Sequence, residues 1–571
     1  MHDPNPRILG IFSLAAALLV AACAAPPVAG PEPRIQGALS SVQAADFLRH
    51  VQTLSSDDFE GRSVGTAGGS MTEQYLAGEF KRLGLEPGNP DGTYLQAVPL
   101  TGYQSVPRAA IDIGGRRIEL RFPDDFVAMS FQREAEVRIR RSELVFVGYG
   151  VQAPEYGWDD FKGMDLKGKT LVVLVNDPQI PDPGDPTRLD ESLFKGKAMT
   201  YYGRWTYKYE KAAALGAAGA LIVHETATAG YPYSVVVNSW SRENFAIQRE
   251  SANPDFPAVP AWIRVERARE LFSAAGLNFD QAKQAALRRD FKPIRLGATI
   301  DFTVLGKWRD MASHNVLGRI EGSDPKLKGE TVIYTAHWDH FGWDRNLPGG
   351  KHDQVFHGAL DNASGVAALL ELAKAFKALP EAPRRSILFI ATTAEERGLL
   401  GAKYYADHPL YPLRSTLADI NIDGINVWGR TRDVVEIGLG SSDLDEMLAA
   451  AARTQGRVVV PDQFPEKGYF YRADQFEFAK AGLPSLILSG GVDYIGKPGD
   501  YARQKVEGYT SNSYHKVTDV VEPDWDLAGA VEDIQLLFRL GHAVAQEDRY
   551  PEWKPGTEFS AKRDAMMQER R

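Results

Sequence analysis

Eight residues of this 571-residue chain have types and positions suited to holding metal ions and moving a proton. His337 and Asp339 close an apolar stretch at 332–336, and Asp361 with Asn362 follows a polar, Gly-containing loop just ahead of a helical pattern. Glu395 and Glu396 lie just past the stretch 386–391, Asp423 ends 417–422, and His515 sits in a late loop before the last long helical pattern. Together these places offer only oxygen and imidazole ligands. Zinc accepts both, and two ions roughly 3.5 to 4 Å apart, bridged by a carboxylate, make a competent hydrolytic centre. Two histidines and three carboxylates would suffice.

Each motif alone is ordinary. A Glu pair after a strand is common, and Asp361 with Asn362 could be a turn in which Asn362 caps the following helix. Their force comes from joint occurrence at inferred strand ends. The elements that must position them alternate between apolar strands and amphipathic helices. Strands are expected at 332–336, 386–391, 417–422 and 483–488, and helices at 366–379, 444–454 and 527–545. Such alternation argues for an α/β fold, a mainly parallel sheet covered by helices on both faces, with ligands collecting at the carboxyl ends of the strands. Upstream, 44–83 reads as helical with a turn at 60–69 and leads to a strand near 94–98. A block at 134–299 carries short strands at 144–147, 170–175 and 219–224 and an Ala-rich helix at 209–215, and reads as a smaller β/α domain.

With 44% hydrophobic residues, a chain of this length can bury a large core, and its net charge of -10 offers no positive field for nucleic acid. The apolar run 8–20 behind Arg7 suits a signal peptide and is too short for a stable span. Its end, Val20, Ala21, Ala22 and Cys23, resembles a bacterial lipoprotein processing box. Lipid attached to Cys23, the sole cysteine, would anchor the mature protein to the cell envelope, with Ala24 pointing to the outer membrane facing the periplasm. The Pro- and Ala-rich residues that follow read as a tether.

The ordered set HWD, LDN, EE, IDG and SYHKVTD resembles the co-catalytic dizinc aminopeptidase family, relatives of aminopeptidase S and glutamate carboxypeptidase. The resemblance implies two Zn2+ ions, His337 and Glu396 holding one, Asp423 and His515 the other, and Asp361 bridging them. It makes Asp339 the carboxylate that orients His337, Glu395 the general base toward a bridging water, and the peptide between Asp361 and Asn362 cis. In YFYRADQFEFAKAG, Tyr469 or Tyr471 would bond the oxyanion, Tyr471 being the choice here against simple core packing. Gln475 stands where the family pattern has histidine. His340, His352 and His357 are assigned loop or substrate-side roles, because the ligand set is already complete. His224, His408 and His542 are read as structural. The block 134–299, with VGYGVQAPEYGWDDFKGMDLKGK and KAAALGAAGALIVHE, resembles a protease-associated domain that roofs the cleft and splits the catalytic domain.

The expected organisation is a signal peptide at 1–23, a tether at 24–39, catalytic residues at 40–133 and 300–547 around an insert at 134–299, and a charged, partly disordered tail at 548–571. The expected activity is zinc-dependent removal of amino-terminal residues from peptides. Carboxypeptidase or other amidohydrolase specificity and a non-catalytic binding role stand as alternatives, with glutaminyl cyclisation ranked last.

Overall fold

The computed structural model describes residues 35–249 and 253–568. The expected signal peptide, Cys23 and most of the tether lie outside the described residues. Strands used below are, in chain order, β1 (Leu95–Ile113), β2 (Phe126–Ala128), β3 (Glu136–Phe146), β4 (Thr170–Leu174), β5 (Gly219–His224), β6 (Val259–Arg264) and β7 (Ile294–Ile320). They continue with β8 (Thr331–His337), β9 (Ser386–Thr392), β10 (Thr416–Asn421), β11 (Asp433–Ile437), β12 (Val458–Pro461) and β13 (Ser485–Ser489).

Strands β8, β9 and β10 are buried at every position, so both faces must be covered, and their sequences are near-continuous apolar runs. β8 lies between β9 and β10 and pairs with both in parallel, and β10 pairs in parallel with β13. β11 joins β13 antiparallel and carries β12 at the edge. Under one face lies the helix Gly365–Lys377, whose sequence GVAALLELAKAFK is apolar nearly all round, as a helix inside a core must be. It meets the helix Ala528–Gln546 through Phe376 and Phe538, with ring centroids 4.7 Å apart. Gly541 lets that second helix approach the sheet. A Cβ there would lie 1.8 Å from the Tyr334 hydroxyl, which donates to the Leu537 carbonyl at 2.7 Å.

The expected mainly parallel sheet covered by helices is therefore the observed architecture, and the expected smaller β/α unit is present. In it β3, β4, β5 and β6 run parallel, with β2 closing the edge antiparallel. The division drawn at 299/300, however, falls inside β7. That 27-residue strand pairs antiparallel with β9 at one end and with β3 at the other, and along its middle with all 19 residues of β1. The strand expected near 94–98 is the start of β1. The described part of the tail, through residue 568, packs on the rest of the chain. Trp553 is buried and donates to the Gly482 carbonyl at 3.0 Å, Lys554 pairs with Asp445 at 2.6 Å, and a helix forms at Ser560–Gln568.

Candidate metal centre

The carboxyl ends of β8, β9 and β10 bring His337, Glu395, Glu396 and Asp423 to one edge of the sheet. Asp361 comes from the turn ahead of the helix Gly365–Lys377, and His515 from the loop after the helix Tyr501–Asn512. His337 Nε2 is 3.3 Å from Asp361 Oδ1 and 3.3 Å from Asp423 Oδ1. His515 Nε2 is 3.3 Å from Asp361 Oδ2 and 3.2 Å from Glu396 Oε2. The two oxygens of Asp361 thus face two different donor groups. This corrects the expected pairing. His337 shares its group with Asp423, and His515 shares its group with Glu396, because Asp423 leaves β10 beside His337 while Glu396 turns toward the His515 loop.

Local backbone explains how adjacent glutamates diverge. Ala394 and Leu399, on either side of the pair, adopt positive φ (55° and 60°), a strained conformation for residues with a Cβ. Glu395 then stays on the His337 side, its Oε2 3.9 Å from His337 Nε2. His515 itself has φ 57°. The peptide from Asp361 to Asn362 is cis, as the resemblance implied. The Asn362 amide donates to the Ile422 carbonyl at 3.0 Å, and its oxygen accepts from Gly365 at 3.0 Å and Gly424 at 2.8 Å, tying the Asp361 turn to the end of β10.

Several supports were not assigned from sequence. Asp519, the last residue of SYHKVTD, accepts from the backbone N–H groups of Leu360 (3.0 Å) and Asp361 (3.1 Å) and from the Tyr509 hydroxyl (3.1 Å). Arg62, fully buried, donates to the carbonyls of Leu54, Trp338, His357 and Gly358 and so binds the amino-terminal turn to both ends of the loop 338–358. His340 Nδ1 lies 2.6 Å from Glu396 Oε1, and burial pulls this imidazole down to about 3, so it is neutral and shares a hydrogen bond with that carboxyl group. His352 and His357 lie apart, beside Asp57.

The geometry refines one expected role and changes another. The carboxylate of Asp339 accepts from the Glu395 backbone N–H at 2.9 Å, while the His337 Nδ1–H donates to the Asp339 carbonyl at 3.1 Å. Asp339 therefore meets His337 through its main-chain carbonyl and through its carboxylate, whose Oδ1 lies 3.9 Å from His337 Nδ1, and fixes the glutamate turn through the same side chain. Tyr471 does not reach the site. Its ring packs against Phe476 and Tyr201, and its hydroxyl bonds Glu558 of the tail, because the short helix Tyr469–Tyr471 turns this side chain inward. Tyr469, the other expected candidate, lines the cavity, as does Tyr514, stacked on His515 with centroids 3.8 Å apart. Gln475 is buried, donating to the Phe470 carbonyl and accepting from Asn421, away from the cavity wall.

The donors open into a cavity of about 510 Å³, whose lining includes Asp361, Glu395, Asp423, His515, Tyr231 and Arg472. Its electrostatics suit cations. Burial, aggravated by Asp423 and Glu396, pushes the Glu395 carboxyl well above its ordinary range, and burial pushes Glu396 up to about 8. Burial also acts to raise Asp361, but the bonds from His337 and His515 outweigh it and hold that carboxyl well below its ordinary range. A set of carboxylates and imidazoles this crowded and this desolvated fits divalent metal, and its chemistry matches the ligand preference of zinc. Among the described residues, the sets His337, Asp361, Asp423 and His340, Asp361, Glu396 each converge closely enough to share an ion.

A mainly parallel sheet thus carries at its strand ends a donor set in which Asp361 faces both halves. Residues 315–538 match Peptidase family M28, and the chain resembles aminopeptidases and a probable glutamate carboxypeptidase, as its motifs indicated. It is 31% identical over 185 residues to aminopeptidase NAALADL1 of Mus musculus, covering 29% of this chain and 23% of that protein. It is 29% identical over 255 residues to a probable glutamate carboxypeptidase of Arthroderma benhamiae, covering 42% and 31%, and 36% identical over 106 residues to aminopeptidase YwaD of Bacillus subtilis, covering 18% and 20%. The chain thus spans less than a third of the length of these curated relatives. Among solved structures, an aminopeptidase from Aneurinibacillus sp. strain AM-1 is similar over 90% of this chain and 96% of its own, with 18% identity and a TM-score of 0.49. The family match begins beyond the insert.

Proposed function

We propose that the chain is a dizinc aminopeptidase acting on short peptides. The observation that carries this reading is the splitting of Asp361 between two donor groups, with Glu395 beside them in the cavity. In this reading His337 and Asp423 hold one ion, Glu396 and His515 the other, and Asp361 both. The ions, when bound, supply Lewis-acid polarisation of the scissile carbonyl and of the attacking water. Glu395 takes the proton of that water and returns it to the departing amine. Tyr514, stacked on His515, and Tyr469 both line the cavity and are the candidates to meet the oxyanion.

The insert, in this reading a protease-associated domain, contributes Gly230 and Tyr231 to the cavity lining and limits the length of peptide admitted. Export and lipid attachment at Cys23 place the enzyme in the bacterial cell envelope, and labelling with a radioactive fatty acid tests that placement. None of the described helices is long and apolar enough to cross a membrane.

The test is amino-acid release from a panel of free and amino-blocked peptides, before and after chelation and zinc return, with Glu395→Gln beside the parent protein. Turnover of free-amino peptides alone, restored by zinc and reduced at least about 1000-fold in Glu395→Gln at unchanged zinc content, is the expected result. Release from the carboxyl end of amino-blocked peptides would instead establish the carboxypeptidase alternative.

A further inference from the structure

Asp57, His352 and His357 form a second convergent donor set, which shares no residue with the metal centre and none of which lines its cavity. His352 Nδ1 is 3.0 Å from Asp57 Oδ1, His357 Nε2 is 3.7 Å from the same oxygen, and the two ring centroids lie 4.5 Å apart. Around an ion bound at about 2.0 to 2.1 Å, tetrahedral donors stand roughly 3.3 Å from one another, so these separations need little adjustment.

The backbone sets these positions independently of any ion. Asp57 opens the turn Asp57–Arg62, and His352 stands on the four-residue helix Lys351–Gln354, which is capped by the Asp353 carboxylate accepting from the Gly350 N–H at 3.0 Å. Lys351, just before His352, reaches Glu60 of the turn at 3.4 Å. That leaves Asp57 with the two imidazoles as its only ion-pair partners among the described residues.

The hydrogen bonding of His357 points to a cation. Its side chain is 1% exposed, with Nδ1 2.8 Å from the Ser55 carbonyl oxygen and Nε2 3.0 Å from the His352 carbonyl oxygen. A neutral imidazole has one N–H and one lone pair, so it satisfies one of these carbonyls and turns its lone pair on the other. A buried contact between two acceptors is unfavourable. A metal ion at Nε2 removes the conflict. The lone pair then goes to the ion, and Nδ1–H donates to Ser55, the outer contact that fixes the tautomer of metal-bound histidines.

We propose that Asp57, His352 and His357 bind a further zinc ion, outside the hydrolytic centre, that staples the turn 57–62 to the loop 338–358. Two imidazoles and one carboxylate favour zinc over calcium and magnesium, which prefer oxygen donors alone. The protein supplies three donors, with the His352 side chain 66% exposed and that of Asp57 41%, and the remaining place is left to water. An ion held so openly exchanges readily and is removed by dialysis that leaves tightly bound zinc in place. Its role is structural. Arg62, at the other end of the same turn, holds the carbonyls of Trp338, His357 and Gly358, so the ion and the guanidinium grip the loop ahead of Asp361 from the two ends of one turn.

The test is isothermal titration of zinc into the dialysed protein, with calcium in a parallel run. The expected result is one further zinc per chain beyond the ions that dialysis leaves, and no calcium bound at the same concentration. In His352→Ala and in Asp57→Asn the affinity for that ion falls at least about 10-fold, since losing a ligand costs no less than losing an outer hydrogen-bond partner. Both replaced side chains are partly exposed, and an unchanged zinc content after dialysis verifies that each variant folds around an intact centre. Hydrogen exchange followed by mass spectrometry reads the staple: added zinc slows exchange in segments 51–62 and 351–358 of the parent protein and leaves both unchanged in His352→Ala. No further ion, equal uptake of calcium, a further ion that keeps its affinity in both variants, or binding that leaves exchange in both segments untouched would each overturn the proposal. None of these readouts uses peptide turnover, so the outcome is independent of the aminopeptidase reading.

Discussion

Replacing Arg62 by methionine should destabilise the protein by about 3 kcal/mol and loosen the metal centre, although Arg62 touches no ligand. The guanidinium donates four hydrogen bonds to main-chain carbonyls, at 2.7 to 2.9 Å. At roughly 1.5 kcal/mol for each bond from a charged donor, they contribute about 6 kcal/mol. Against this stands the cost of burying the charge. Burial pulls the guanidinium down to about 10 despite the opposing pull of Asp519 and Asp361, a drop from its ordinary value that corresponds to roughly 3 kcal/mol. Methionine escapes that cost and loses all four bonds, leaving a net loss of about 3 kcal/mol. Urea unfolding followed by circular dichroism at fixed free zinc measures it, the zinc being fixed because bound ions stabilise by mass action. Since Arg62 joins residues 54, 338, 357 and 358, zinc affinity should fall as well. A variant within 1 kcal/mol of the parent protein, or one with unchanged zinc affinity, would show that the loop leading to Asp361 is held by packing and not by this arginine.

The pairing of ligands predicts metal stoichiometry. His337→Ala combined with Asp423→Ala should retain one zinc per chain, as should Glu396→Ala combined with His515→Ala, whereas His337→Ala with His515→Ala should lose both from tight binding; atomic absorption after dialysis decides, and one retained ion in this last variant would contradict the grouping. Stability should fall in mild acid through His224, which burial holds at about 4 in the folded state against about 6.5 when unfolded. Above pH 6.5 neither state is protonated and the full stability is present; as pH falls from 6.5 to about 4 only the unfolded chain gains the proton, so up to about 3 kcal/mol is lost. Urea midpoints of the parent protein and His224→Gln across that range should converge at low pH, and parallel curves would exclude the assignment.

The strands β8, β9 and β10 were legible because strands covered on both faces have little room for polar residues. The ligands at their ends stood out as the first polar residues after apolar runs. β11 was not legible, since Asp433 and Glu436 interrupt it, although both are buried there. Nor was β7, whose amphipathic middle looks like a linker between two units until β1 is laid beside it. Which ligand joins which could not be read from chain order, because it depends on how Ala394 and Leu399 turn the glutamates. Arg62 lay in DDFEGR as an ordinary turn residue, and nothing local showed that four distant carbonyls converge on it. Tyr471 was misplaced for a related reason. Aromatic residues in a short helix alternate between cavity and core, and the tail residue Glu558 that receives its hydroxyl lies far along the chain.

The paired course of β1 and β7 bears on modularity. Leu95 opposes Val316 and Thr101 opposes Asp310, so the chain leaves the catalytic unit and returns to it on adjacent, oppositely directed strands. Everything from 102 to 309 is, topologically, the loop of a single hairpin. A cut across that ribbon leaves two ends lying side by side, close enough for a tight two-residue turn to rejoin them. Such an arrangement lets the insert be exchanged, enlarged or deleted in one recombination event without disturbing the order of the strands β8, β9 and β10.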